Sequence, residues 1–369
     1  MPGATRKTHW GEPPWRIDFR SSIKPIPSKV DFAVIGGGFT GLSAAAWLRQ
    51  FEPSKSVVLF ESGKVGAGAS GRTGGMTLGE TAAGDIPGLG DVLAGFSEIV
   101  NELRVDCDLS LPGVWEVGRT AGLPDSPIAW ADSGDLRALR QVPGGTIDPG
   151  KLISGLARSA DSLGVQIFEN CTVENIEFQE PLRLDVHGNA VFAQEVLLAT
   201  NAMSLEMSDL ADVAEPKFTL AVATEPLTSE QRETLGLGSG KPFYTTDLPY
   251  LWGRPLPNGG VIFGSGLVHV KDWRELADVD ITTGEASELI ARLERRVRGL
   301  HPALRSIQFT HRWGGPILIA DKWRPVFGLH PRSPHAVVLG AYSGHGVALS
   351  VYLGRWAAEV MLGRRKPLG

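Results

Sequence analysis

A glycine-rich turn between two apolar segments constrains this chain more than any other feature of its sequence. Gly36, Gly38 and Gly41 follow an apolar run at 30–35 and precede an alanine-rich run at 42–48. The first glycine permits a tight turn, the second lets a phosphate approach the backbone, and the third lets helix and strand pack closely. The pattern therefore predicts a strand, a turn and a helix whose N-terminus accepts a pyrophosphate.

An acidic residue follows the next apolar segment, at the position where such a unit holds a ribose. The segment 56–60 ends at Glu61, 20 residues beyond Gly41. A carboxylate there accepts hydrogen bonds from an adenosine ribose, and an acid in place of an arginine disfavours NADP. Strand, turn, helix, second strand and acid together predict a dinucleotide-binding βαβ unit. They leave NAD and FAD open.

Charge and cysteine content exclude several classes of partner. The chain has 36 Lys and Arg against 41 Asp and Glu, a formal net charge of −5, which argues against a nucleic-acid partner. Its two cysteines, Cys107 and Cys171, show no spacing typical of a zinc site, an iron–sulfur cluster or a disulfide framework. We therefore expect no metal and a reducing compartment.

The sequence favours a cytoplasmic location. No apolar stretch follows Arg6 and Lys7, as a secretory signal would require. The most apolar late segment, 337–362, is interrupted by a glycine turn and by Arg355 and Glu359, which a membrane span tolerates poorly. We expect no membrane span, and the oligomeric state stays open.

A second glycine-rich loop resembles a known family. The sequence Gly-Ala-Gly-Ala-Ser-Gly-Arg-Thr-Gly-Gly at 66–75 is similar to the loop that lies along pyrophosphate and flavin in the D-amino-acid-oxidase-like family of flavoproteins. Further matches, in the family's order, lie at 147–149, 199–202, 223–227, 313–315 and 342–347. The resemblance covers about residues 30–363 and implies that the dinucleotide is FAD. Covalent attachment near the last turn is excluded because no cysteine lies beyond Cys171.

The resemblance implies a role for each matching residue. The three glycines of the first turn would meet the pyrophosphate, Glu61 the ribose and Val173 the adenine. Residues 70–75 would lie along the flavin, and the amides of 343–347 would stabilise negative charge on its reduced ring. The implied FAD-binding residues are Gly36, Gly38, Phe39, Thr40, Gly41, Glu61, Ser62, Gly68, Ala69, Ser70, Arg72, Thr73, Gly74, Gly75, Met76, Val173, Ala199, Thr200, Asn201, Ser343, Gly344, His345, Gly346 and Val347.

The family resemblance also sets the expected architecture. We predict an α/β (α+β) fold in which a Rossmann-type FAD-binding domain carries an inserted mixed-sheet substrate domain. The expected segments are an N-terminal arm at 1–28, an FAD-binding domain at 29–80, 142–210 and 311–369, and a substrate domain at 81–141 and 211–310.

Two departures from the family pattern bear on the substrate. Members that act on small amino acids grip the substrate carboxylate with arginines, where this chain has Pro316 or Ile317, and Gly344. This favours a small-molecule amine, and the loop at 66–75 and the turn at 342–347 look most like those of gamma-glutamylputrescine oxidases. We expect Arg254 and Arg324 to form surface salt bridges, with a role as a remote anchor for the substrate as the alternative.

The expected reaction is oxidation of a C–N bond by hydride transfer to flavin N5, giving an imine that hydrolyses. Hydrogen peroxide is the second product if oxygen is the acceptor. An aliphatic residue, Ile262, stands where some amine-oxidising relatives carry a lysine that promotes reaction with oxygen. A dehydrogenase with a quinone or protein acceptor, or a non-catalytic flavin-binding subunit, therefore stays open.

Aromatic walls suit an amine and its cationic imine product. The aromatic candidates are Tyr244, Tyr250, Trp252, Trp313 and Trp323, and plain core packing is the alternative role for each. As catalytic residues we name His345, Trp313, Trp252 and Tyr250, with a structural role for His345 as the alternative.

Overall fold

The computed structural model describes residues 8–119 and 122–368. The helices in this part of the chain are α1 Phe39–Phe51, α2 Val92–Glu102, α3 Pro149–Ser162, α4 Ser229–Thr234, α5 Gly284–Leu300 and α6 Gly346–Met361. The strands are β1 Lys29–Ile35, β2 Val57–Phe60, β3 Met76–Leu78, β4 Val114–Gly118, β5 Ala129–Ala131, β6 Asp135–Val142, β7 Gly144–Thr146, β8 Gln166–Phe168, β9 Val173–Glu177, β10 Leu182–Val186, β11 Asn189–Leu198, β12 Ala214–Thr224, β13 Phe243–Thr245, β14 Trp252–Pro255, β15 Val261–His269, β16 Phe309–Ala320, β17 Val326–His330 and β18 Ser333–Gly340.

The first sheet contains the predicted βαβ unit. Its strand order is β17-β18-β11-β1-β2-β8, with β10 and β9 attached to β11. Strands β18, β11, β1, β2 and β8 run parallel. Alternate residues of β1 enter different cores, Phe32 and Val34 on the side of α1, α3 and α6, and Ala33 and Ile35 on the other. Burial of both faces explains why β1 and β2 read as continuous apolar runs.

The second sheet has the order β16-β12-β15-β14-β13-β4-β6-β5. Its pairs are antiparallel apart from β13 with β4, and α5 packs against β12 and β15. The predicted α/β fold with a mixed sheet is thus confirmed. Strand β16 pairs with β12 from Ala214 to Thr224, so it lies in this second sheet although the predicted boundary at 311 assigns most of it to the FAD-binding domain.

An extended segment at 8–28 lies across both sheets, whereas residues 1–7 of the predicted arm lie outside the described residues. The Trp10 ring packs 5.4 Å from that of Phe218, and its indole donates to the Leu276 carbonyl. The Trp15 indole donates to the Gly71 carbonyl at 2.8 Å. The segment therefore connects the second sheet to the glycine-rich loop at 66–75.

No helix within 8–119 or 122–368 is long and apolar enough to cross a membrane. The same part of the chain contains no group of three His, Cys, Asp or Glu side chains that could hold a metal ion.

Candidate active site

A cavity of about 870 Å³ is lined by residues from both sheets. Its volume lies in the upper part of the range typical of ligand sites. The first sheet contributes the turn after β1, the loop after β2, the loop after β11 and the start of α6. The second sheet contributes residues of β12, β13, β14, β15 and β16.

The turn after β1 has the geometry that its glycines predict. Gly36 adopts φ +111°, which disfavours any side chain. A Cβ at Gly41 would lie 1.9 Å from the Gly36 carbonyl oxygen, so the helix can approach the strand only through a glycine. Gly41 itself does not line the cavity. It shapes the turn that does.

Two helices begin at the cavity with an N-cap residue whose own side chain makes no capping hydrogen bond. The first residues of α1 and α6 line the cavity, and neither N-cap residue, Gly38 or His345, makes a capping hydrogen bond with its side chain. Of the helices that begin elsewhere, α2, α3 and α4 are capped by Asp91, Asp148 and Thr228, whereas α5 has no side-chain cap. The uncapped N-termini leave amides and the positive ends of helix dipoles for electronegative ligand groups.

Buried hydroxyls in the wall also fit a polar ligand. Thr200 and Ser350 line the cavity, and their hydroxyl oxygens are buried without a hydrogen-bond partner in the described residues. The Thr40 and Tyr342 hydroxyls, 2.7 Å apart, connect the starts of α1 and α6. Because buried polar groups are normally paired, the two free hydroxyls favour a cofactor with many hydrogen-bonding atoms.

Glu61 holds the glycine turn to the end of β2. Its carboxylate accepts from the Gly37 amide at 2.7 Å and from the Gly63 amide at 2.8 Å. Burial raises the pKa of the Glu61 carboxyl above its ordinary value, while these two amides act in the opposite direction. The side chain lines the cavity, as a ribose-binding acid must.

The loop at 66–75 is clamped between the N-terminal segment and β16. The Arg72 guanidinium donates to the carbonyls of Gly11 at 2.8 Å and Gly314 at 3.1 Å. The Trp313 indole donates to the Arg72 carbonyl at 2.9 Å. Ser70 accepts from the Phe39 amide at 3.0 Å, which brings the loop onto the start of α1.

The last turn is fixed by two side chains. The Asn201 side-chain oxygen accepts from the Ala341 amide at 2.9 Å, and the Ser343 hydroxyl accepts from the Ala320 amide at 3.0 Å. Burial lowers the pKa of His345 below its ordinary value. His345 is therefore neutral near pH 7, and the α6 amides are the stronger candidates for stabilising negative charge.

The structure brings most of the sequence-predicted residues to the one cavity. The predicted FAD-binding residues that line it are Gly36, Gly38, Phe39, Thr40, Glu61, Ser62, Gly68, Ala69, Ser70, Arg72, Thr73, Gly74, Met76, Val173, Ala199, Thr200, Asn201, Ser343, Gly344, His345, Gly346 and Val347. Gly41 and Gly75 stand behind the wall. A Cβ at Gly75 would lie 2.5 Å from the Ile147 carbonyl oxygen.

The aromatic candidates Tyr250, Trp252 and Trp313 also line the cavity, as do Tyr244 and Trp323. The Trp252 ring packs on the loop and on β15, because a Cβ at either Gly74 or Gly264 would come within 2.1 Å of it. The other four aromatic candidates have different surroundings, and Trp323 among them is exposed.

Trp313 is 1% exposed and lies edge-on to Trp15, so much of its ring serves packing. The Tyr250 hydroxyl lies 3.3 Å from that of Thr219. The Tyr244 hydroxyl contacts the carboxylates of Glu80 at 3.1 Å and Glu116 at 3.0 Å.

Sequence reasoning missed several wall residues. Ser350 follows Gly346 by one helical turn, so the 3.6-residue period was a usable signal for it. Thr8, Trp10 and the β12 residues Thr219 to Ala221 gave no comparable signal, because only tertiary packing brings them to the cavity.

The residues that replace the carboxylate-binding arginines of the family lie in the cavity wall. Pro316, Ile317 and Gly344 line the cavity. Among the described wall residues, the Asp, Glu, Lys and Arg side chains are Glu61 and Arg72, and Arg72 donates to backbone carbonyls.

The expectation of surface salt bridging is wrong for Arg254, which is buried and donates to the Gly74 carbonyl. Arg324 is exposed, and neither arginine lines the cavity.

Known proteins are similar to this chain in sequence or in fold. The chain is 27% identical to gamma-glutamylputrescine oxidoreductase of Escherichia coli, over 90% of this chain and 84% of that protein. It is 27% identical to the probable oxidoreductase OrdL of Haemophilus influenzae, over 90% of this chain and 83% of that protein. Glycine oxidase from Geobacillus kaustophilus has the same fold, with a TM-score of 0.72 and 18% identity over 92% of this chain and 96% of that chain.

The family model described as DAO, FAD dependent oxidoreductase, matches residues 31–360. FAD is thus the cofactor, which agrees with the uncapped helix starts and the free hydroxyls of the cavity. The chain belongs to the DAO family of FAD dependent oxidoreductases.

Proposed function

We propose that this protein oxidises a C–N bond of an amine that carries no carboxylate next to the reacting nitrogen. The observation that carries this proposal is the charge of the cavity wall. Among the described Asp, Glu, Lys and Arg residues, Glu61 and Arg72 are the ones that line the cavity. The Arg72 guanidinium already donates hydrogen bonds to backbone carbonyls of the N-terminal arm and of β16. A free arginine is the favoured partner for bidentate binding of the carboxylate of a small amino acid.

The names of the relatives agree with a nitrogen-containing substrate. The Escherichia coli relative is named for gamma-glutamylputrescine, and a relative from Paenarthrobacter nicotinovorans, 27% identical over 54% of this chain, is named 4-methylaminobutanoate oxidase. In 4-methylaminobutanoate, the carboxylate is separated from the nitrogen by several carbon atoms. This supports a substrate whose acid, if it has one, lies far from the site of oxidation.

When bound, FAD would supply the two-electron acceptor, at N5, for a hydride from the carbon next to the substrate nitrogen, and water would hydrolyse the resulting imine. The chain's own residues position the reactants and exclude water. The faces of Trp252 and Tyr250 favour an alkylamine and its cationic imine product. The uncapped amides of α6 stabilise the negative charge that arises on reduction.

The acceptor of the electrons is a second point of the proposal. The family resemblance assigns to Ile262, which is buried, the position where a lysine would promote reaction with oxygen. This favours a dehydrogenase that passes electrons to a quinone or a protein. Hydrogen peroxide is the product if oxygen accepts them instead.

To test the proposal, the FAD-bound protein is mixed with a panel of substrates in the absence of oxygen. The panel contains alkylamines and aralkylamines, ω-amino acids, and the α-amino acids glycine, sarcosine and D-alanine. We expect the amines to bleach the visible flavin absorbance. Bleaching by α-amino acids and not by amines contradicts the substrate assignment. Admission of air then separates the acceptors, because slow reoxidation favours a dehydrogenase and fast reoxidation an oxidase.

A further inference from the structure

Arg254 is a buried cation without an acidic partner. It is 4% exposed, and no Asp or Glu oxygen lies within 4.0 Å of its guanidinium in the part of the chain that the structure describes. The half-buried Arg296, by contrast, pairs with Asp132 at 2.6 Å. An unpaired buried charge is unfavourable, so its retention calls for a compensating anion.

The position of Arg254 points to where that anion arises. In β14, Arg254 lies directly opposite Ile262 of β15, so both side chains are on one face of the second sheet. The Arg254 Nε donates to the carbonyl of Gly74, and Gly74 lines the cavity. The guanidinium also lies 5.9 Å from the Trp15 ring centroid. One peptide group thus separates this cation from the cavity.

The charge persists at neutral pH and is not cancelled nearby. Burial lowers the pKa of Arg254 to about 10, which leaves it protonated. Asp148 and Asp108 raise this pKa from a distance, but each has its own partner. Asp148 caps α3 through the Lys151 amide at 2.9 Å, and Asp108 pairs with the Lys151 ammonium at 2.5 Å.

We propose that Arg254 is a positioning residue whose fixed positive charge, held behind Gly74, stabilises the negative charge that FAD acquires on reduction. Charge near a flavin is a general means of tuning its electronics, and an opposite charge in a poorly solvated site favours the ionised form. The inference rests on the proposed course of the flavin along residues 70–75. It does not depend on which amine is oxidised.

The test measures the reduction potential of FAD bound to the purified protein, by anaerobic reduction with dithionite against a reference dye. The variants are Arg254→Met, Arg254→Gln and Arg254→Lys. We expect the neutral variants to lower the equilibrium constant for two-electron reduction at least tenfold, which corresponds to about 30 mV. Arg254→Lys keeps the charge and should stay within threefold of the wild type.

Arg49→Met is the matched control. Arg49 also donates to backbone carbonyls, those of Leu163, Pro53 and Lys55, but it does not line the cavity. Its loss should leave the potential unchanged. An unchanged reduction potential in Arg254→Met overturns the proposal. A fall in the reduction potential of Arg254→Lys as large as the fall in the neutral variants also overturns it.

The neutral variants could lose FAD, and the substrate panel could fail; the reduction potential still tests the role of Arg254 in both cases. If neither neutral variant retains FAD, the Arg254→Lys variant decides the test. An equilibrium constant for two-electron reduction within threefold of the wild-type value supports the proposal, and a larger fall in that constant overturns it. Because dithionite replaces the amine, a failed substrate panel leaves this measurement intact. The failure of the proposed function and that of the role of Arg254 are therefore distinguishable.

Discussion

At the scale of single residues, Glu61 shows how one side chain serves both the turn and the cofactor. Its carboxylate accepts the amides of Gly37 and Gly63, so it fixes the turn on which a pyrophosphate is expected to lie. The sequence predicted the position of this acid from its distance to Gly41. The sequence could not predict the two amides, because they depend on how the ends of β1 and β2 meet.

We expect Glu61→Gln to bind FAD roughly tenfold more weakly. Hydrogen bonds to a charged acceptor contribute about 1.5–3 kcal/mol, and about 1.4 kcal/mol is a tenfold change in affinity. Titration of apoprotein with FAD, followed by flavin fluorescence, measures the change. Glu98→Gln, which alters an exposed ion pair with Arg355, is the control. Equal affinities of the Glu61 variant and the control would contradict the role of Glu61.

His345 leads to a prediction about pH. Burial lowers its pKa in the folded state, so its contribution to the free energy of unfolding is full above the ordinary value of about 6.5 and is lost as pH falls through the lowered pKa. We expect wild-type protein to lose more stability between pH 7 and pH 5 than His345→Gln does. Denaturant unfolding at the two pH values measures the difference. A larger loss in the variant would mean that the folded protein favours the charged ring.

Among the structural elements, the N-terminal segment was predicted from its composition, whereas its contacts follow only from the structure. Its prolines and tryptophans predicted an arm over the body, and the structure shows what the arm touches. Trp10 packs on Phe218 of β12, while the Trp10 and Gly11 carbonyls accept from Arg72. The segment therefore joins the second sheet to the loop at 66–75.

We expect Trp10→Ala to lower the free energy of unfolding by about 3–5 kcal/mol, the usual effect of removing a buried aromatic side chain. Ile23→Ala is the control from the same segment, since Ile23 is fully exposed and surface changes stay within about 0.5 kcal/mol. Denaturant unfolding of both variants decides the matter. A small effect of Trp10→Ala, similar to that of the control, would show that the arm is not part of the folded core.

At the scale of the whole molecule, the cavity draws on both sheets, so its ligand should stabilise the entire fold. A ligand that binds only the native state, present at 100 times its Kd, adds about 2.7 kcal/mol to the free energy of unfolding. We expect FAD to raise the unfolding midpoint of apoprotein and NAD at the same concentration to leave it unchanged. Thermal unfolding with each nucleotide measures this. Equal shifts of the unfolding midpoint with FAD and NAD would mean that the protein does not discriminate between the two nucleotides.

The amino-acid sequence was sufficient to predict the βαβ unit, the positions of its glycines and acid, and the resemblance that implies FAD. These depend on residues close together along the chain, whose spacing and backbone freedom can be read directly. Three features depend on contacts between distant segments: Arg254 is buried behind Gly74, backbone carbonyls hold Arg72, and Ser350 lines the cavity. Strand pairing brings residues from 8 to 350 to one cavity, and the charge of a site depends on such distant neighbours.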